Sequence, residues 1–471
     1  MSLTQKYEAV IGLEVHARLS TATKLFCSCQ TLFGAEPNSC VCPVCLGLPG
    51  TLPSLNSEAI RLAALAGLAT NCQISKISSF DRKNYFYPDL PKAYQITQAR
   101  YPLCRNGHLD VNGKRIRIKQ IHVEEDAGKL IHHSQKGTLI DYNRCGTPLV
   151  EIVTLPDLGS ADDARAFLTE LRSVLLYAGL SDCKMNEGSL RCDVNISVRK
   201  KGEDRLGVKT EIKNINSISF VGKAIEYEIA RQAKILDRGG EILPETRRFD
   251  ESTGKTYGMR VKEAAEDYRY VPEPDLPPFS LSDEYVNALK DSLPMMPAER
   301  RAKYTDEYGL SYKDAEILVS RPPVALYFES VTGLTEYPKI VANVIISNLL
   351  SEADAESFDV SVTPEELAEI VTLYGDGIIN SSTAKTLISM TPDSDLSPAE
   401  LVAKHGLAQI NDKDVLRSAL LRVIKEAPKL LDDYKNGKLA AKKAIVGKVM
   451  AATRGRANPV LLDDIFGQVT K

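Results

Sequence analysis

The sequence lacks several features that would otherwise set its chemistry. No apolar run approaches the ~20 residues a helix needs to cross a bilayer. The first residues, MSLTQKYEAVIGLE, carry neither an apolar signal core nor an arginine-rich leader, so a cytoplasmic protein with no membrane partner is expected. Positive charge is not in excess: 59 Lys and Arg stand against 62 Asp and Glu, a net charge of -3. That balance excludes a uniformly basic nucleic-acid binder and confines any RNA contact to a local patch. There is no GxSxG, no HExxH and no Ser-Ser-Lys cluster, and no cysteine has an evident histidine partner, so the chain carries no hydrolytic nucleophile of its own. Gly254-Lys255-Thr256 resembles the end of a P-loop, but Phe249 stands where its first glycine belongs. Any nucleotide must therefore be held outside a Walker loop.

What is present is an ordinary globular composition, 43% hydrophobic and 26% charged over 471 residues, enough for roughly three domains. The ten cysteines of a cytoplasmic chain are expected as thiols or metal ligands rather than disulfides. Within CSCQTLFGAEPNSCVCPVC, Cys27-x-Cys29 precedes Cys42-x-x-Cys45 by twelve residues. Two close pairs on short loops are what a tetrahedral, closed zinc site requires, and buried unligated thiols are the alternative. Cys40 is a fifth candidate in the same loop.

Several strands show one apolar and one polar face. In Tyr7–Arg18, Ile11, Leu13 and Val15 alternate with Glu14, His16 and Arg18. Arg115–Lys129 begins with Ile116 and Ile118, slips by one at Lys119-Gln120, and resumes at Ile121 and Val123, which predicts a bulge. It ends in Glu124, Glu125 and Asp126, either a solvated strand end or the wall of a metal and phosphate site. Glu151 lies inside the apolar strand Thr147–Val153 and needs a partner, a proton or a metal. In Arg191–Arg199, Asp193 and Asn195 share the polar face; Glu211 and Lys213 alternate on the next strand. Four or five such strands predict an antiparallel sheet with a core behind and a polar concave surface in front. Acids with nearby Lys and Arg suit Mg²⁺-assisted phosphoryl transfer.

The segment 79–98 gathers Arg82, Lys83, Tyr85, Tyr87, Asp89, Lys92, Tyr94 and Gln95 into a proline-punctuated loop, a composition typical of functional loops. Helices are predicted over Asn56–Thr70, Ala161–Leu176 and Ser217–Leu236. From about Leu281 the strand alternation stops and short helices follow, with a linker at Thr391–Pro398. Val415, Leu416, Ala419, Leu420, Val423 and Ile424 form a helical stripe, and Asn458-Pro459 starts a last helix. Between Tyr434 and Leu462 stand Lys435, Lys438, Lys442, Lys443, Lys448, Arg454 and Arg456 with no acid, either a phosphate-backbone footprint or a solvated face. The expectation is an α+β chain: an antiparallel-sheet cradle over 1–292, a helical connecting domain over 293–396 and a small all-α tail over 397–471.

GLEVH (12–16), FDRKNYFYPDLPKAYQITQ (80–98), HVEEDAGK (122–129), NRCGTPLVEIV (143–153), EGSLRCDVNIS (187–197) and ETRRFDESTGKT (245–256) together closely resemble the B-subunit family of the bacterial aspartyl/glutamyl-tRNA amidotransferases. GKLAAKKAIVGKVMAATRGRANP (437–459) is similar to that family's C-terminal tRNA-binding domain, so the resemblance spans nearly the whole chain. It implies a heterotrimer with an amidase-type A subunit and a small C subunit. The implied reaction uses ATP and Mg²⁺ to phosphorylate the side-chain carboxylate of Glu-tRNA(Gln) or Asp-tRNA(Asn), and ammonia from the A subunit then displaces the phosphate. By the resemblance, Glu14, His16, Glu125 and Glu151 line the catalytic metal site, with Glu124, Asp193 and Glu211 as secondary candidates. Lys83 and Lys92 match lysines of the ammonia path; Cys27, Cys29, Cys42 and Cys45 match zinc cysteines, from which Cys40 departs. Lys438, Lys442, Lys443, Lys448, Arg454 and Arg456 are the tRNA-binding candidates. A non-catalytic tRNA-binding scaffold and a kinase for a small amino acid are the alternatives.

Overall fold

Strand β1 (Tyr7–Arg18) is central to a sheet because its alternation leaves one face fully apolar: Ile11, Leu13, Val15 and Ala17 are all completely buried. The computed structural model describes residues 6–261, 268–352 and 358–470. It divides into two compact units, Met1–Pro297 and Ala298–Lys471.

In the first unit, β1 is followed by α1 (Ser57–Ala69), β2 (Gln73–Ile74), β3 (Asp81–Asn84), β4 (Tyr94–Thr97), β5 (Cys104–Val111), β6 (Lys114–Glu125), β7 (Lys129–His133), β8 (Gly137–Asp141) and β9 (Pro148–Thr154). Next come α2 (Ala161–Tyr177), β10 (Leu190–Lys200), β11 (Thr210–Lys213), α3 (Ile218–Asp237), β12 (Glu245–Asp250), β13 (Lys255–Val261), β14 (Val271–Pro272) and α4 (Asp283–Asp291). Nine strands form one sheet in the order β13-β12-β11-β10-β1-β9-β6-β5-β2, antiparallel except for the β11–β12 pair. The predicted bulge is present, as a register shift between Ile118 and Gln120 where β6 pairs with β9.

Helices α1, α2 and α3 cover the apolar face, placing Leu62, Phe167, Leu171 and Ile225 against Ile11, Val123, Ile152 and Val194 in one core. Each starts at a polar N-cap: Asn56, Ser160 and Ser217 accept backbone N–H bonds from the first turn. At Gly67, α1 comes so close to β5 that an added Cβ would lie 2.4 Å from Cys104 Sγ. Helix α3 is tied down by a polar lock. Glu228, fully buried, accepts from Arg231 Nε (3.0 Å), Gln232 Nε2 (3.0 Å) and Thr256 Oγ1 (2.9 Å), with Arg247 Nε at 3.6 Å. Glu228→Ala would leave Arg231 and Arg247 to share Glu245, at 3.2 and 2.7 Å, and a loss of about 1.5–3 kcal/mol is expected, read as a lower midpoint in urea unfolding.

The second unit is helical among its described residues: α5 (Pro297–Asp306), α6 (Tyr312–Val319), α7 (Pro322–Thr332), α8 (Pro338–Val344), α9 (Pro364–Gly375), α10 (Ser381–Met390), α11 (Pro398–His405), α12 (Lys413–Glu426), α13 (Pro428–Lys435), α14 (Leu439–Ala452) and α15 (Pro459–Val469). The last helices have their own core, in which Leu416, Leu420 and Val423 of α12 meet Ile445 and Val449 of α14 and Leu462, Ile465 and Phe466 of α15. Val415, expected in that stripe, is instead half exposed.

Candidate active site

The register of the sheet collects the polar residues of five adjacent strands into one row. Glu14 of β1 faces Asp193 of β10, and His16 faces Glu151 of β9. Glu151 in turn faces His122 of β6, and Asn195 of β10 faces Glu211 of β11. Directly opposed side chains on one face have Cβ atoms ~4.5–5.5 Å apart, so the row is continuous.

It resolves into two clusters. In the first, His16 Nε2 lies 3.5 Å from Glu124 Oε1 and 3.4 Å from Glu151 Oε2, while His122 Nε2 lies 3.6 Å from Glu124 Oε2 and 3.2 Å from Glu151 Oε2. Thr97 Oγ1 donates to Glu124 Oε2 at 3.2 Å. Burial works against a charged His122 ring, but Glu151 and Glu124 outweigh it and push the ring up to about 10. For Glu151, burial favours the neutral acid, and His16 and His122 overcome it, holding the carboxyl well below its usual range. The His122 proton thus supplies positive charge to these buried carboxylates, and oxygens of Glu124 and Glu151 with a ring nitrogen of His16 lie close enough together to hold a metal ion.

In the second cluster, ligand oxygens of Glu14, Asp193 and Glu211 lie within 4.8 Å of one another. Asn195 Nδ2 donates to Glu14 Oε1 at 2.8 Å and Thr246 Oγ1 to Glu211 Oε2 at 3.1 Å. Lys213 Nζ stands 2.6 Å from Asp193 Oδ2 and 3.0 Å from Glu211 Oε1.

The expectation for Glu125 requires correction. The three acids that close β6 go three separate ways. Glu124 joins the two histidines. Glu125 turns to the helix-covered side, where Lys92 Nζ is 2.5 Å from Oε1 and the Ile96 N–H donates to the same oxygen at 2.9 Å. Asp126 pairs with Arg191 at 2.9 Å and Arg144 at 3.5 Å. The reason is parity: beyond the bulge, Glu125 shares the face of Ile121 and Val123, both fully buried in the core. The acid beside His16 and Glu151 is Glu124.

Sulfur atoms of Cys27, Cys29, Cys42 and Cys45 lie within 4.8 Å of one another; Cys40 is outside the group. A tetrahedral metal with ~2.3 Å bonds to sulfur needs sulfurs about 3.8 Å apart, which this spread accommodates. Cys45 is pulled down to about 4 by the Cys27 thiol, which more than offsets burial, helped by the Cys42 N–H and Lys24. Cys29 is pushed up to about 11, first by burial and then by Cys42 and Cys45.

The family described as GatB/GatE catalytic domain matches residues 9–287, and the GatB domain matches residues 326–469. The chain is 51% identical over 468 residues to the B subunit of the aspartyl/glutamyl-tRNA(Asn/Gln) amidotransferase of Thermoanaerobacter pseudethanolicus, covering 98% of each protein. It is 50% identical over 474 residues to the B subunit from Persephonella marina, covering 99% of this chain and all of the relative. The chain belongs to the B-subunit family of the aspartyl/glutamyl-tRNA amidotransferases.

In this family member, the two lysines expected on one path line different cavities. Lys92 lies with Lys24, Cys45 and Glu125 around a space of about 200 Å³. Lys83 lies with Tyr85, Tyr268 and Lys213 around one of about 690 Å³, its Nζ 4.8 Å from the Tyr268 ring. The tail cations are less free than the sequence implied. Lys442 pairs with Asp463 at 2.6 Å and Lys438 with Asp433 at 2.9 Å, because acids just outside the strip fold back beside it. Arg456 donates to the Gly406 carbonyl, closing the end of α11. Lys443, Lys448 and Arg454 are exposed.

Sequence reasoning missed His122, Thr97 and Lys213. His122 was readable, since it shares parity with Glu124. Thr97 was not, because its contact crosses between sheets. Among the described residues, no helix is long and apolar enough to cross a membrane.

Proposed function

We propose that this chain is the kinase and transamidase component of a tRNA-dependent amidotransferase. It works in the cytoplasm with an amidase-type A subunit and a small C subunit, on Glu-tRNA(Gln), Asp-tRNA(Asn) or both. A side-chain carboxylate resists attack by ammonia because its oxyanion is a poor leaving group. A carboxylate oxygen therefore attacks the γ-phosphorus of ATP, and ADP leaves. Ammonia then attacks the acyl-phosphate carbon, inorganic phosphate departs, and a proton is lost to give the amide.

The observation that carries this reading is the row of acids and histidines across five strands, flanked by Lys213 and Arg191. Mg²⁺ would be held by His16, Glu124 and Glu151, with the adjoining Glu14 extending the wall, and it would supply charge screening for phosphoryl transfer. The chain's own groups hold the remaining charges: Arg191 is kept by Asp126 at 2.9 Å beside the His16 register position. The buried Lys92–Glu125 pair gives ammonia a polar stopping place, and Lys83 would bind it nearer the carboxylate row. Zn²⁺ on Cys27, Cys29, Cys42 and Cys45 would be structural, since four thiolates leave no open position.

The test is reconstitution with A and C subunits, ATP and Mg²⁺, and each misacylated tRNA in turn. Amide formed only with ATP and Mg²⁺ supports the reading; amide formed without ATP contradicts it. For the tail, replacing Lys443, Lys448 and Arg454 together by alanine should weaken tRNA binding and reduce the slope of log K against log salt by about 3, roughly one for each phosphate no longer neutralised. An unchanged slope in filter binding would remove the tail from the interface.

A further inference from the structure

Lys24 is completely buried, yet none of the chemistry proposed above uses it. A lysine so enclosed needs partners that replace its lost hydration. Its Nζ donates to Cys45 Sγ at 3.5 Å and to the Tyr142 carbonyl at 3.3 Å. Its backbone N–H donates to the Cys29 carbonyl at 2.9 Å. One residue thus holds both halves of the cysteine cluster, the Cys27-x-Cys29 loop through its main chain and the Cys42-x-x-Cys45 loop through its side chain. Four thiolates around one Zn²⁺ leave two net negative charges, and enclosing them calls for a cationic donor close by. A group that binds a metal ligand from behind fixes the ligand's orientation and tunes the metal.

The same side chain borders a second place. Lys24, Cys27 and Cys45 line the space of about 200 Å³ that also holds Lys92 and Glu125. The cysteine loop touches that pair directly: a Cβ added at Gly47, just beyond Cys45, would lie 2.5 Å from Lys92 Cγ. We propose that Lys24 is a positioning residue that binds the metal centre from outside its four thiolates and makes that centre one wall of the Lys92–Glu125 cavity. Metal binding then fixes the width of the space through which ammonia passes. The passage of ammonia here rests on the proposed function; the tie between Lys24 and the metal centre does not.

Co²⁺, a coloured substitute for Zn²⁺, reports on the tie in the full chain. A hydrogen bond lowers the energy of a thiolate's lone pairs, so Lys24→Met should move the thiolate-to-cobalt charge-transfer band to longer wavelength. Competition with a chelator should show Zn²⁺ held about 10–100-fold more weakly, the usual effect of removing a partner of a metal ligand. In the complex reconstituted with A and C subunits and saturated with Zn²⁺, Lys24→Met should hydrolyse more glutamine for each amide formed. Glutamine-driven amidation should also fall further than amidation driven by added ammonium. An unmoved band with unchanged Zn²⁺ affinity would overturn the proposal. A moved band with an unchanged ratio of glutamine to amide would leave Lys24 as a partner of the metal centre and overturn the passage of ammonia through this cavity. Should Lys24→Met not fold, Lys24→Gln carries the same readings, since it removes the charge and is too short to keep both bonds.

Discussion

Glu124→Gln should lower ATP-dependent amidation by the assembled enzyme by a factor on the order of 10²–10³, the usual scale for removing one charge-stabilising group from a transition state. Glutamine is nearly isosteric and keeps an acceptor for Thr97, so the loss should appear in kcat and in the Mg²⁺ requirement rather than in folding. The same change removes one of the carboxylates that raise His122, and the ring should titrate at lower pH by NMR. Glu125→Gln should behave differently. Its partner Lys92 is almost fully enclosed, and an unpaired buried ammonium is costly, so destabilisation of about 3–5 kcal/mol should come first. Loss of Mg²⁺ dependence in Glu125→Gln, with Glu124→Gln unaffected, would reverse the assignment of the two acids.

The second large effect concerns the cysteine cluster. Cys45→Ser should abolish zinc retention and lower the melting temperature, whereas Cys40→Ser should leave both unchanged, because Cys40 is outside the group of four. Closed thiolate sites contribute binding energy directly to folding, ~10–16 kcal/mol in isolated fingers. In this larger unit the loss should be smaller, but still well beyond that of an exposed cysteine. The pH dependence has a definite sign. Without metal, Cys45 is the thiolate, at about 4, while Cys29 holds its proton up to about 11 and Cys27 is also raised. Metal binding must therefore expel protons from Cys27 and Cys29, so acidification weakens zinc binding and alkalinisation strengthens it. Equal zinc content in Cys45→Ser and wild type would show that the cluster is not the ligand set.

Much of the fold was written in local patterns. The bulge near Lys119, the cap at Asn458, and the apolar faces of β1 and β10 follow from periodicity and capping chemistry, which act over a few residues. Glu125 is instructive because the pattern held the answer. Ile121 and Val123 are core residues, and an acid of their parity has to point inward; family resemblance argued the other way, and parity decided. The tail strip shows the opposite limit. Counting cations between Tyr434 and Leu462 could not reveal that Asp463 returns to Lys442 when α15 packs on α14, because that pairing depends on tertiary structure. The same holds for Lys213, which reaches Asp193 only when β11 pairs with β10. The parallel β11–β12 pair was likewise invisible to alternation, which reports faces but not strand direction.

The central claim is that the acidic row activates a carboxylate by phosphorylation. Its most direct test is transfer of isotope. With ¹⁸O in the side-chain carboxylate of Glu-tRNA(Gln) or Asp-tRNA(Asn), the assembled enzyme should release inorganic phosphate carrying one ¹⁸O for each amide formed, in amounts that fall with Glu124→Gln. Amide formed with unlabelled phosphate would contradict the account.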